Sequence, residues 1–271
     1  MARHSLTLLA APFGLLCVIG CGGAGPLTVQ TASSSPEAVR QLRTEAVDAV
    51  VGDYPALAYA ARESAGTLDM VDQQFAIAPF GIAVSRQADA LSAILTAALG
   101  ASITDGTYIR VLSMWALEGS AVERPPPLPA VPTVDQVPQL ADGVLRVGME
   151  IQYPPMEFIE ASGVQAGIDV DLIRAMGQTL GVQVELVNLP FDELLDQVEG
   201  GQIDVAMSSI TITPARAARV SFIPYFRAGT GILVLRGNPL GIRVPRDLCG
   251  HRVAVQEGTV HVEMVTSISC D

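Results

Sequence analysis

The stretch Leu145–Gly181, LRVGMEIQYPPMEFIEASGVQAGIDVDLIRAMGQTLG, decides the fold. Val144 to Met149 is a short apolar run that stops before Pro154-Pro155, the pattern of a buried strand. From Gly167 to Leu180 the apolar residues Val170, Leu172, Ile173, Met176 and Leu180 fall near helical spacing, and Gly181 supplies the stop. Val182 to Leu189 then alternates apolar and polar like a strand. Phe191 to Val198 reads as a helix closed by Gly200-Gly201, and Ile203 to Met207 is a third strand running into Ser208-Ser209. Strands alternating with helices predict a parallel, doubly wound sheet. Such sheets hold ligands at the carboxyl ends of their strands.

Upstream, the same style appears a second time. Leu27 to Thr31 reads as a strand, and Pro36 to Leu42 as a helix behind the cap residues Ser33-Ser34-Ser35. Ala46 to Val51 is a strand ending in Gly52-Asp53, followed by a helix from Tyr54 to Ser64. Two more helices are expected near Ala88 to Leu99 and Gly106 to Trp115. Residues 120–142 separate the two blocks. They carry Pro125, Pro126, Pro127, Pro129, Pro132 and Pro138, so an extended, semi-rigid connector is expected there.

The 271 residues suffice for one large or two medium domains. The net charge of -12 argues against nucleic acid or an anionic membrane surface as the main partner. All 16 basic residues are Arg, a compositional bias that no site chemistry requires. At the front, Arg3 and His4 precede an apolar run from Leu6 to Ile19, which is shorter than the roughly 20 residues of a membrane span. It ends in Val18-Ile19-Gly20-Cys21, which resembles a bacterial lipobox, with Ile19 bulkier than usual. The expectation is a signal peptide over 1–20 and a lipid on Cys21, leaving residues 21–26 as a tether. A plain signal peptide with an accidental Cys is the alternative. Cys249 and Cys270 remain as an even pair in an oxidising compartment, which reads as a disulfide. His251 and His261 lie near them, but no zinc-ligand spacing appears, so no metal and no cofactor is expected.

Taken together, several stretches resemble the polar-amino-acid-binding proteins of ABC importers, the family 3 solute-binding proteins. Leu145–Gly181 resembles the family's opening, and GGQIDVAMSSITITPARAARVSFIPYF, Gly200–Phe226, its continuation. DLCGHRVAVQEGTV, Asp247–Val260, resembles the start of its second lobe. DAVVGDYPALAYAA, PFGIAVSRQADALSAILTAAL and DGTYIRVLSMWAL resemble its later parts, although they come first in this chain. The resemblance implies an α/β, two-lobe, type II periplasmic-binding-protein-like fold with two doubly wound sheets joined by a hinge, its halves in permuted order. On that scheme 27–75 is the second part of lobe two, and 76–119 is hinge and C-terminal part of lobe one. Residues 120–142 are the linker, 143–226 the first part of lobe one, and 227–271 hinge and first part of lobe two. The rival reading is a truncated tandem of two receptors, and a domain-swapped dimer is the alternative to a monomer.

An amino-acid receptor must pair a carboxylate and an ammonium, because buried charges without partners are costly. Arg216 sits at the family's ligand arginine, and its guanidinium fork matches a carboxylate. Ser209 and Thr211, at the preceding strand end, offer hydroxyls and amides. Gly258 and Thr259 form a turn expected to present backbone N–H groups to an anion. Asp53 ends the strand where the family places the carboxylate for the α-amino group; its competing role is an N-cap for the following helix. The resemblance puts Tyr153 and Phe191 as aromatic walls, with core packing the alternative for Phe191. It puts Glu150 where an acid contacts the ligand side chain, with Gln256 tuning the same pocket.

The expected function is a receptor that captures an amino acid, polar or basic favoured, between two lobes and passes it to an ABC permease. It would be exported and held by its lipid to the outer face of the bacterial cytoplasmic membrane. Because the tether leads into lobe two, that lobe should lie nearest the bilayer. Two alternatives belong to other classes. One is a sensory or decoy lipoprotein without transport. The other is a cyclohexadienyl-dehydratase-like enzyme using His261 or Glu257 as acid or base, set against the absence of a nucleophile–base pair in the sequence.

Overall fold

The computed structural model describes residues 25–270. The expected signal peptide and the lipid-bearing Cys21 lie outside the described residues. The first block forms β1 (Thr28–Ala32), α1 (Ser35–Arg43), β2 (Ala49–Asp53), α2 (Tyr54–Arg62), β3 (Leu68–Met70), β4 (Phe75–Ser85), α3 (Asp89–Thr104) and α4 (Thr107–Met114). The second forms β5 (Val144–Met149), β6 (Phe158–Ile159), β7 (Gln165–Ala166), α5 (Ile168–Leu180), β8 (Gln183–Asn188) and α6 (Leu194–Glu199). It continues with β9 (Val205–Ala206), α7 (Pro214–Arg219), β10 (Val220–Leu235), β11 (Arg252–Gln256) and α8 (Val260–Thr266).

Helix boundaries follow local chemistry. The Ser34 hydroxyl accepts the N–H of Glu37 to cap α1, with Pro36 in the first turn. Gly181, left-handed at φ 70°, closes α5 and turns the chain into β8. Helix α5 buries Ile168, Val170, Leu172, Ile173 and Met176, each worth roughly 1.5–3 kcal/mol of transfer free energy before entropy is charged.

Among the described residues, nine strands join into one mixed sheet of order β1-β11-β2-β10-β4-β9-β5-β8, with β3 also on β10, while β6 and β7 pair separately. Two parallel sets are present, β1-β11-β2 and β9-β5-β8. The expectation of separate sheets is thus refined. The parallel sets are bridged by β4 and β10, an antiparallel pair of 11 and 16 residues. Strand β10 pairs with β4 through Val220–Thr230 and then with β2 through Thr230–Val234, so one strand belongs to both lobes. Its pairing with β4 shifts register between Ala228 and Thr230. A Cβ at the intervening Gly229 would sit 2.8 Å from Gln74 Cβ and 2.9 Å from the Phe75 carbonyl, so only glycine fits that crossing.

Each parallel set is covered on both faces. Lobe one packs Leu145, Val147, Met149, Ile173 and Leu95 on one side, and Leu194, Leu195, Val198 and Ile203 on the other. Lobe two packs Ala38, Leu42, Val50 and Leu57 on one face, and Val51, Val253, Val255 and Val265 on the other. The connector 120–142 is less free than its prolines predict. Val137 and Leu140 are buried in the lobe-one core, and the buried Tyr108 hydroxyl accepts the Val122 N–H at 2.9 Å while donating to the Tyr225 carbonyl at 2.8 Å. The connector therefore docks along lobe one, joining α4 to β5 within that lobe. Cys249 and Cys270 form a disulfide, as expected.

Candidate functional site

The strand ends of both lobes meet at one cleft. It is lined by Asp53, Glu150, Tyr153, Phe191, Ser208, Ser209, Thr211, Arg216, Gln256, Thr259, Val260 and His261. Nine of the ten residues expected from sequence to contact ligand are in this lining. The tenth, Gly258, borders an adjoining groove with Phe191 and Arg216. Residues separated by up to 208 positions, such as Asp53 and His261, converge because the carboxyl ends of β2, β5, β9 and β11 face the same gap.

Arg216 lies on the six-residue α7, capped by the Thr213 hydroxyl, and is half-buried. Its Nη1 donates to the Thr211 carbonyl at 2.9 Å and its Nη2 to the Gly258 carbonyl at 3.0 Å, and the guanidinium carbon lies 5.5 Å from the centre of the Phe191 ring. Desolvation lowers its pKa, with Asp53 opposing that shift. Arg219, on the same helix, instead pairs with Asp196 and Glu199 at the surface. Guanidinium chemistry is the same in both; the fold aims only Arg216 at the cleft.

Asp53 is the N-cap of α2 by backbone position, yet its side chain makes no capping hydrogen bond. It accepts the Tyr153 hydroxyl at 2.7 Å on Oδ2 and lies 3.4 Å from His261 Nε2 through Oδ1. Of its two expected roles, the structure has the carboxylate facing the cleft. Glu150 Oε2 accepts the Gln256 amide at 2.6 Å, and burial raises the Glu150 pKa. Burial and the neighbouring Asp53 carboxylate hold the Tyr153 phenol well above its usual range.

Three hydrogen bonds thus cross from one lobe to the other: Arg216 to Gly258, Tyr153 to Asp53, and Gln256 to Glu150. Gly258 is left-handed at φ 72°, and a Cβ there would come within 2.9 Å of Asp192 Cβ, so glycine allows the lobes this close approach.

One expectation needs correction. The Ser209 N–H is not available to a ligand, because it donates to Asp169 Oδ2 at 3.0 Å and to the Tyr225 hydroxyl at 3.2 Å. The Gly258-Thr259 turn contributes a carbonyl to Arg216, and the Thr259 hydroxyl turns back to the Gln256 carbonyl at 2.7 Å. Glu257, considered as an acid or base, is exposed and outside the lining, whereas His261 is buried in it. Ser208 and Val260 were missed: neither carries a signal beyond its place beside a strand end. No group of three or more His, Cys, Asp or Glu residues suited to a metal occurs among the described residues.

Comparison with known proteins bears on this geometry. Residues 145–264 match the bacterial extracellular solute-binding proteins, family 3. The L-cystine-binding protein TcyJ of Escherichia coli (strain K12) is 34% identical over 122 residues, covering 45% of this chain and 46% of that protein. The probable ABC transporter arginine-binding protein ArtJ of Chlamydia trachomatis serovar D is 32% identical over 126 residues, 45% of this chain and 48% of that one. Among solved structures, the truncated, arginine-bound ArgBP of T. maritima is 36% identical, with a TM-score of 0.29 over 30% of this chain and 38% of that one. The aligned segment spans just under half the length of the two curated relatives.

Proposed function

We propose, from the match of residues 145–264 to the bacterial extracellular solute-binding proteins, family 3, that the chain is a two-lobed receptor for an amino acid, serving an ABC importer and performing no catalysis. The observation that carries this reading is the placement of opposite charges across one cleft. Arg216 reaches in from lobe one and Asp53 from lobe two, matched to a carboxylate and an ammonium. Only a closed arrangement engages both poles, so ligand binds the closed state more tightly than the open one and shifts the population toward it. Glu150, buried and facing the same space, favours a basic or amide side chain. The relatives named for cystine and arginine are consistent with this ligand class.

We also propose that the halves are circularly permuted and that each lobe is assembled from both blocks. Strand β1, early in the chain, pairs in parallel with the late β11, and Gly25 lies beside Gly250. The connector joins two elements of the same lobe, which supports permutation over a truncated tandem. Lipidation of Cys21, with lobe two nearest the membrane, completes the proposal; labelled palmitate should enter the wild-type protein and not Cys21→Ala.

Calorimetry against a panel containing arginine, histidine, glutamine and cystine tests the central claim. Binding of at least one, abolished or weakened at least about tenfold by Arg216→Ala and by Asp53→Ala, is the expected result. Unchanged binding in both variants, or turnover of prephenate or arogenate by the wild type, would overturn it.

A further inference from the structure

Beneath the cleft, on the lobe-one side, lies a cluster that ligand contact does not explain. Glu157 and Asp169 are both 0% exposed. Their hydrogen bonds come from neutral groups: Asp169 Oδ2 accepts the Tyr225 hydroxyl at 2.6 Å and the Ser209 N–H at 3.0 Å, and Glu157 Oε1 accepts the Ser208 hydroxyl. The remaining oxygens, Glu157 Oε2 and Asp169 Oδ1, are buried without a donor. The two residues are neighbours: the Asp169 N–H donates to the Met156 carbonyl at 2.9 Å, and the two side chains accept from the adjacent Ser208 and Ser209. Two ionised carboxylates side by side in a dry interior repel and both lose solvation. One orphan acceptor on each group is the arrangement that a single proton between them satisfies.

This pair is connected to the cleft on two routes. Ser208 Oγ donates to Glu157 while accepting the Glu150 N–H at 3.1 Å. Asp169 holds the N–H of Ser209, a non-glycine residue in the left-handed region at φ 51°. The carboxyl ends of β5 and β9, which present Glu150, Ser208 and Ser209 to the cleft, are therefore pinned from below by the same two groups.

We infer that Glu157 and Asp169 share one proton, and that the resulting pair is a positioning device fixing Glu150, Ser208 and Ser209 at the floor of the cleft. Burial and the neighbouring carboxyl keep Glu157 well above the usual carboxylate range, and burial pushes Asp169 up to about 7. The other titratable groups acting on the pair are Glu150 from the end of β5, Tyr153 beyond it, Asp53 from β2 and Tyr225 from β10. The pair then carries one negative charge, not two. Its effect on ligand affinity rests on the proposed amino-acid reading of the cleft; the shared proton and the pinning do not.

Three measurements on the full chain test the inference. Infrared difference spectra of wild type against Glu157→Gln at pH 8 should show a protonated-carboxyl carbonyl band in the wild type only; its absence there overturns the shared proton. Amide hydrogen exchange at Glu150 and Ser209 should accelerate about tenfold in Glu157→Ala and Asp169→Ala, the scale of one lost hydrogen bond, and be substantially restored in Glu157→Gln. An exchange rate in the glutamine variant as fast as in the alanine variant overturns the positioning role. If the alanine variants fail to fold, exchange in Glu157→Gln against Glu157→Leu, which lacks a donor, decides the same point. Arginine affinity should follow the exchange rates. If the wild type binds no amino acid, the functional proposal fails while the band and the exchange rates still judge the pair.

Discussion

The Tyr153 hydroxyl donates a 2.7 Å hydrogen bond to Asp53 Oδ2, joining residues 100 apart in the chain and on opposite sides of the cleft. The carboxylate proposed to meet a ligand ammonium is thus already engaged by a group of the other lobe. Tyr153→Phe removes that donor and keeps the ring. A hydrogen bond to a charged group contributes roughly 1.5–3 kcal/mol, so the closed population without ligand should fall about tenfold or more. Small-angle scattering should record a larger radius of gyration for the variant before, but not after, saturation with ligand.

Glu150 and Gln256 form the second bridge, at 2.6 Å. If Glu150 reads a basic side chain, Glu150→Gln should weaken arginine binding by roughly 1.5–3 kcal/mol, about ten- to a hundredfold, and leave glutamine binding nearly unchanged. Paired titrations of the two ligands measure this. Equal losses for both would place Glu150 in a general closing role.

Stability should fall as pH rises between about 5 and 7. Asp169 ionises near 4 when unfolded and at about 7 when folded, and Glu157 is displaced further in the same direction. Over that window the folded state holds more protons than the unfolded one, so the slope is negative, up to about 1.4 kcal/mol per pH unit for each extra proton held. Asp48, held below its usual range by Arg252, acts with opposite sign but only at more acid pH. Melting temperatures from pH 5 to 8 should decline in the wild type and decline less in Asp169→Asn.

The disulfide closes a loop of sequence separation 21 in lobe two. Chain entropy puts its contribution at roughly 3 kcal/mol. Cys249→Ser with Cys270→Ser should lower the urea midpoint accordingly. The loss should be small in a fragment-level readout of lobe one, such as exchange protection of α5, while lobe two remains folded.

Much of the lobe architecture was legible locally. The period of α5, the Gly181 stop, the Ser34 cap and the alternation of strands with helices are short-range properties, and each appears where the pattern puts it. The long strands β4 and β10 were not legible, because Pro79 and Pro224 interrupt runs that otherwise read as strands, and antiparallel pairing over such distances leaves no local mark. The mixed hydrogen bonding that fuses the two parallel sets into one sheet follows from those two strands.

The identity of the cleft residues comes from the family resemblance read on the sequence: it points to Arg216, Asp53, Tyr153 and Glu150, with Gln256 beside them, and all five line one cavity. Tertiary structure decided which of their atoms are free. The Ser209 amide is consumed by Asp169, Asp53 turns from its capping role toward Tyr153, and the Gly258 carbonyl is taken by Arg216. Residue type determines what a group can bond. Only the packing of β2, β5, β9 and β11 against one another determines which partner reaches it first, because desolvation compels every buried donor and acceptor to find one.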